Sequence, residues 1–238
     1  MMDAPAIEAR GLFKSFGAAP VLRGIDLAIA PGRALMIIGR NGAGKSTLLR
    51  LLAGLGAPND GEVRLFGTPS RKLEAADRRR LGMLTHQSFL YPNLTARENL
   101  EFYCALYRVA DSAAAIGRWL ERVGLARFAA ERVRAFSRGM EQRLALARAL
   151  IHRPDALLMD EPFAALDPDG AELAATLIRE ALARGCAVAL TAHRAFDLDA
   201  GRCTARELVR GRLLDAPANA ASAERAEYPP AHPGVGAR

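Results

Sequence analysis

Lysine is nearly missing from this chain. Lys14, Lys45 and Lys72 are the only three among 33 basic side chains, so the formal charge of +7 is carried by arginine. The longest basic run is Arg78-Arg79-Arg80. Without a basic block there is no footprint for nucleic acid, and none is expected as a partner; dispersed arginine reads as a solvated surface, at home beside anionic lipid. Cysteine is scarce as well. Cys104, Cys186 and Cys203 are odd in number and never spaced C-x-x-C, which excludes a disulfide framework or a zinc site and fits reduced thiols in the cytoplasm. Half the residues are apolar, yet no run approaches the ~18 needed to cross a bilayer. The N-terminus shows no basic segment followed by an apolar stretch, so no secretory leader is expected. The 238 residues suffice for one large α/β domain or two modest ones.

What is present is concentrated in one place. Residues 39 to 47 read Gly39-Arg40-Asn41-Gly42-Ala43-Gly44-Lys45-Ser46-Thr47. Gly39, Gly44, Lys45 and Ser46 satisfy the pattern G-x-x-x-x-G-K-[ST]. The apolar run Ala34-Leu35-Met36-Ile37-Ile38 precedes it and the helix-like run Leu48-Leu49-Arg50-Leu51-Leu52 follows. Strand, glycine loop and helix in that order predict a phosphate-binding loop. Glycines let successive backbone N–H groups curl round a phosphate, and the helix N-terminus adds unpaired donors and partial positive charge. Lys45 would reach the β- and γ-phosphates of a nucleoside triphosphate, and the Ser46 hydroxyl would ligate Mg²⁺.

Around this loop the pattern alternates. Ile7–Leu12 and Val21–Ile29, broken by Gly17 and Pro20, predict antiparallel strands. Pro31-Gly32 turns the chain into the strand before the loop. Asn59-Asp60-Gly61 reads as a hairpin signal before Glu62–Phe66. Leu81–Thr85, Ala156–Met159, Ala187–Leu190 and Glu207–Val209 are further strand candidates. Thr95-Ala96-Arg97-Glu98 is a capping box opening a helix whose apolar members are Leu100, Phe102, Tyr103 and Leu106, with the aromatics expected in the core. Helices are predicted at Ser112–Val123, at Gly139–His152 with Leu144, Ala147, Leu150 and Ile151 on one face, and at Ala171–Arg184. Strands and helices alternating on both sides of the loop argue for a mostly parallel sheet. From Ala216 onward, Ala, Pro, Glu, Gly and Arg follow without periodicity and read as a disordered tail.

A second signal narrows the chemistry. Ala156-Leu157-Leu158-Met159-Asp160-Glu161 is an apolar strand ending in two acids. Asp160 is placed to hold Mg²⁺, directly or through water, and Glu161, facing the other way, to take a proton from an attacking water.

With these motifs the sequence resembles the ATP-binding subunits of ABC transporters over residues 5 to 215. The resemblance implies a P-loop NTPase with a RecA-like sheet, an N-terminal antiparallel β subdomain and an inserted α-helical subdomain at about 88–152, all within a nucleotide-binding domain of 1–215, with 216–238 as tail. It implies that Phe16 stacks on adenine, that Gln87 touches Mg²⁺ and the attacking water and links to a membrane partner, that His193 contacts the γ-phosphate, and that Ala165-Leu166-Asp167 is similar to the D-loop. The family's Leu-Ser-Gly-Gly-Gln signature is replaced here by Phe136-Ser137-Arg138-Gly139-Met140. Ser137 and Gly139 remain as the pair expected to cradle a γ-phosphate. Arg138 either adds a cation near the anionic ligand or points to solvent. Such a signature serves the site of a second copy, so a homodimer over two ATP molecules is implied, docked peripherally on an integral membrane permease at the cytoplasmic face of the cell membrane. Residues 100–109 and the signature helix look most like the haem-exporter ATPase of cytochrome c maturation. Multidrug and antibiotic exporter ATPases are close behind. A soluble non-transport ATPase of the family and a small-molecule P-loop kinase are the rival classes.

Overall fold

The fold, taken from a computed structural model, is described for residues 4–196, 198–199 and 201–216. The tail beyond Ala216 lies outside the described residues. The broken alternation of the opening segment forms β1 (Ile7–Phe16) and β2 (Ala19–Ile29), paired antiparallel. Together with β4 (Asp60–Leu65) and β5 (Thr68–Pro69) they make a four-stranded antiparallel sheet in the order β2-β1-β4-β5. Between them the chain forms β3 (Ala34–Ile38) and α1 (Lys45–Leu52). Next come α2 (Ala75–Arg78), β6 (Leu81–Leu84), and the helices α3 (Ala96–Tyr107), α4 (Ser112–Arg122) and α5 (Arg138–Leu150). Then β7 (Ala156–Met159), α6 (Pro168–Ala183), β8 (Ala187–Ala192), β9 (Cys203–Val209) and β10 (Arg212–Asp215) complete the order.

The second sheet runs β10-β9-β3-β8-β7-β6, parallel throughout except for the antiparallel edge strand β10. Its central strands are apolar on both sides because both faces are covered. In β3, Met36 and Ile38 join the core shared with α5 and α6, while Leu35 and Ile37 join the core shared with α1 and the antiparallel sheet. In β7, Leu157 and Met159 divide from Ala156 and Leu158 in the same way.

Helix starts follow local chemistry. Thr95 Oγ1 accepts from Glu98 N, and the Glu98 carboxylate accepts from Thr95 N, closing the expected capping box. Ser137 accepts from Met140 N at the start of α5, and Asp167 from Gly170 N at the start of α6, where Pro168 takes the first turn.

Three expectations are corrected. Asp60 and Gly61 do not turn a hairpin; they begin β4, which arrives from α1 and pairs with β1. The hairpin lies one strand later, where Phe66 and Gly67, both at positive φ, connect β4 to β5. The strand expected at Glu207–Val209 begins at Cys203, and β10 pairs with it as an edge. The aromatics of the helical region divide. Tyr103 is buried, whereas Phe102 is 42% exposed and Leu106 55%, beside exposed Phe89 and Tyr91 in the preceding loop.

His152, just past α5, donates from Nε2 to Leu81 O at 3.0 Å and stacks on Tyr107 at 3.8 Å between ring centroids. Burial pushes its pKa down to about 4. An unfolded chain's histidine titrates near ~6.5, so only the unfolded state takes up this proton between those values. Stability is therefore lost as pH falls from ~6.5 toward ~4, by about 3 kcal/mol from this group. Urea denaturation at neutral pH and near the lower limit measures the loss. His152→Gln flattens it, and an unaltered pH dependence in that variant contradicts the assignment.

Candidate active site

Three adjacent parallel strands end at the same edge of the second sheet. Ile38 of β3 pairs with Ala192 of β8, and Met159 of β7 with Leu190 of β8. The residues that follow, Gly39, Asp160 and His193, therefore leave neighbouring strand ends, where open parallel sheets bind ligands. A cleft of about 650 Å³ opens there. Arg40, Asn41, Gly42, Gly44, Lys45, Ser46 and Thr47 line it together with His86, Glu161 and His193, and Phe16 and Val21 complete the wall. Gly39 lies in an adjoining groove with Arg40, Asn41, His193 and Glu207. Ala43 packs against the core below the loop.

The loop needs its glycines where the backbone approaches closely. A β-carbon on Gly39 would stand 2.8 Å from Leu208 O. Gly44 caps α1 at φ 104°, and a β-carbon there would meet Val21 Cγ1 at 2.8 Å. Lys45 is buried and donates to Gly39 O at 2.7 Å, spanning the loop that the phosphates are expected to fill.

The two acids are held by different partners. Asp160 is buried, with Oδ1 accepting from Thr191 Oγ1 at 2.6 Å and Oδ2 3.5 Å from His86 Nε2. Glu161 turns the chain at φ 50°, a left-handed conformation that strains any residue with a β-carbon. Its carboxylate lies 3.2 Å from His193 Nε2 and 3.9 Å from Lys45 Nζ. A carboxylate held between an imidazole and an ammonium, with the phosphate loop beside it, is placed to accept a proton from a water attacking a bound phosphoryl group.

Gln87 is not brought to this cleft. Thr85 Oγ1 donates to Gln87 O, and the exposed Gln87 gives up its place beside Asp160 to His86. The residues that follow are pinned from α3 and α5. Ser88 Oγ donates to Glu141 at 2.5 Å, Arg148 donates to Ser88 O at 3.0 Å, and the Tyr103 hydroxyl donates to Phe89 O. Ser137 and Gly139 do not line the cleft either; Ser137 is an exposed helix cap. Asp167 caps α6 and is held by Arg143 at 2.6 Å, whose guanidinium keeps its carboxyl below the usual range. Arg138 is exposed and lines a smaller hollow of about 310 Å³ that Asp160 and Glu161 also line.

A metal cage of three or more His, Cys, Asp or Glu side chains is absent among the described residues. One buried carboxylate, Asp160, and one hydroxyl, Ser46, instead fit Mg²⁺, which retains waters and takes further oxygens from phosphate.

Sequence reasoning missed His86 and Thr191 as site residues. Thr191 left a signal, a hydroxyl inside the wholly buried strand β8. Its Oγ1 donates to Asp160 and accepts from Glu161 N at 2.9 Å, fixing both acids at once. Thr191→Val leaves buried Asp160 one donor short, so denaturation should show a loss of about 1–3 kcal/mol. Turnover should fall about tenfold or more as Glu161 loses its anchor. Unchanged turnover would remove Thr191 from the site.

Comparison with known proteins agrees with this geometry. A profile described as "ABC transporter" matches residues 22–164. The chain is 40% identical over 194 residues to the Nod factor export ATP-binding protein I of Paraburkholderia xenovorans (strain LB400), covering 81% of this chain and 64% of that protein. It is 42% identical over 165 residues to an Fe(3+) ions import ATP-binding protein of Rhodococcus jostii (strain RHA1), covering 68% and 47%. The chain thus spans less than two thirds of the length of these relatives. Among solved structures, a dimeric ATP-binding cassette in a post-hydrolysis state with ADP and Pi superposes with a TM-score of 0.78 at 28% identity, over 87% of this chain and 96% of that one. The chain belongs to the ABC transporter family.

Proposed function

We propose that two copies of this chain close over two ATP molecules and hydrolyse them to drive export through a separate membrane subunit. The observation that carries this reading is the division of the motifs. Lys45, Ser46, Glu161 and His193 line one cleft, while Ser137 and Gly139 begin α5 outside it. Each cleft is completed by the signature helix of the other copy, whose N-terminal amides and Ser137 hydroxyl meet the γ-phosphate.

In that arrangement Lys45 and the loop amides stabilise charge on the transferring phosphoryl group. Glu161 takes a proton from the attacking water, and His193 holds the Glu161 carboxylate and the γ-phosphate in register. Phe16 offers its exposed ring to adenine. Mg²⁺, held by Ser46 and Asp160, would neutralise phosphate charge. Gln87 and Asp167, both exposed, take their parts when the second copy and the membrane subunit engage.

No helix among the described residues is long and apolar enough to cross a membrane. The exposed aromatic patch of Phe89, Tyr91 and Phe102, with Tyr91 edge-on to Phe102 at 4.9 Å, supports docking of a permease subunit on the loop after Gln87 and on α3. In this reading the cassette sits peripherally at the cytoplasmic face of the membrane. For the cargo we propose haem for cytochrome c biogenesis, supported by the resemblance of residues 100–109 and the signature helix to that exporter group. Export of a drug or antibiotic is the second reading, favoured by 31% identity over 189 residues to a linearmycin resistance ATP-binding protein of Bacillus subtilis (strain 168).

Replacing the native gene with a Glu161→Gln version tests both levels. The purified protein is expected to bind ATP while turning over about 10²–10⁴-fold more slowly, and the cells to lose haem attachment to c-type cytochromes. Wild-type turnover removes Glu161 as the base. Intact c-type cytochromes with raised sensitivity to drugs or antibiotics transfer the cargo to the second reading.

A further inference from the structure

At the other end of the second sheet lies a hollow of about 490 Å³ that the hydrolysis reaction does not use. It is formed where α3 ends, along α4, just past α5 and at the end of α6. Arg108, Arg118, Arg122, Arg153 and Arg184 line it, from four separate segments of the chain. The carboxylates facing them are few. Asp111 is in the wall, and Glu180 pairs with Arg122 at 2.6 Å and lies 4.0 Å from Arg184. Arg118 and Arg153 make no ion pair or side-chain hydrogen bond with any described residue. His152 and Tyr107 also line the hollow, and the buried Nδ1 of His152 has no hydrogen-bond partner among the described residues.

The ordinary explanation for arginines at helix ends is complementarity to the C-terminal dipole. It covers Arg108 and Arg184, which cap α3 and α6. It does not cover Arg118, in the middle of α4. Nor does it explain the backbone. Arg108 stands at φ 57° and Arg153 at φ 53°, helix-terminal positions in the left-handed region that glycine occupies without strain. The chain carries long cations where glycine would sit more easily, and both open onto the same hollow.

We propose that this hollow binds a phosphate-bearing anion. Guanidinium forks receive phosphate oxygens in pairs. The excess of cations over carboxylates matches a multiply charged group better than a single carboxylate. The volume exceeds what a lone ion fills, and Trp119 and Tyr107 stand in the wall beside the remainder of the molecule. The phosphate can come from an anionic lipid headgroup or from a soluble phosphorylated compound.

Trp119 is the only tryptophan of the chain and reports on this hollow rather than on the nucleotide cleft. Its emission is followed while pyrophosphate, phosphatidylglycerol vesicles or phosphatidylcholine vesicles are added to the full-length protein. A saturable change is expected with pyrophosphate or with phosphatidylglycerol, and none with phosphatidylcholine. Each of Arg118→Ala and Arg153→Gly weakens it by about tenfold, while ATP turnover and the melting temperature stay close to wild type. A response to phosphatidylglycerol alone assigns the phosphate to a lipid headgroup, and one to pyrophosphate alone to a soluble compound. No saturable response to either, or a response undiminished in both variants, overturns the proposal.

Discussion

One buried hydroxyl holds the chemistry together. Thr191, in the strand between the phosphate-loop strand and the acid-bearing strand, bonds the Asp160 carboxylate and the Glu161 backbone N–H with the same oxygen. Parallel strands set neighbouring ends about 4.8 Å apart, and that spacing gathers Lys45, Asp160, Glu161 and His193 at one edge of the sheet. Spacing alone leaves the side chains free to swing. The Thr191 hydroxyl fixes the carboxylate of one acid and the backbone of the next, so the strained turn at Glu161 aims its side chain at His193 and Lys45.

Much of this was legible in the sequence because each part is local. The phosphate loop needs a strand, glycines and a helix in succession, and all three lie between residues 34 and 52. The two acids follow an apolar strand, and the Thr95 and Ser137 caps stand where a polar residue precedes an apolar period. What escaped depends on contacts between distant segments. Helical periodicity identified the apolar side chains of α3, yet it cannot tell a stripe buried by the same chain from one left open, and Phe102 and Leu106 proved exposed. A one-residue question at the end of β6, whether His86 or Gln87 faces Asp160, turns on a hydrogen bond from Thr85 to the backbone. The turn at Asn59-Asp60-Gly61 looked like a hairpin because the residue types are right, but the strand it begins has its partner in β1, far back in the chain.

The signature segment shows how one substitution changes the electrostatics without changing the scaffold. Ser137 still caps α5 and Gly139 still follows it. Arg138 is exposed and lines the hollow that Asp160 and Glu161 also line. The helix start is preserved while a cation is added to it, consistent with a chain that uses arginine for nearly every positive charge it carries.

The account rests on a site that a single copy leaves unfinished. The most direct measurement is the solution mass of the Glu161→Gln protein with and without ATP and Mg²⁺, alongside the same protein carrying Ser137→Ala. The account predicts one copy without nucleotide, two with it, and a return toward one copy when Ser137 is removed. A strictly single copy under saturating ATP would contradict it.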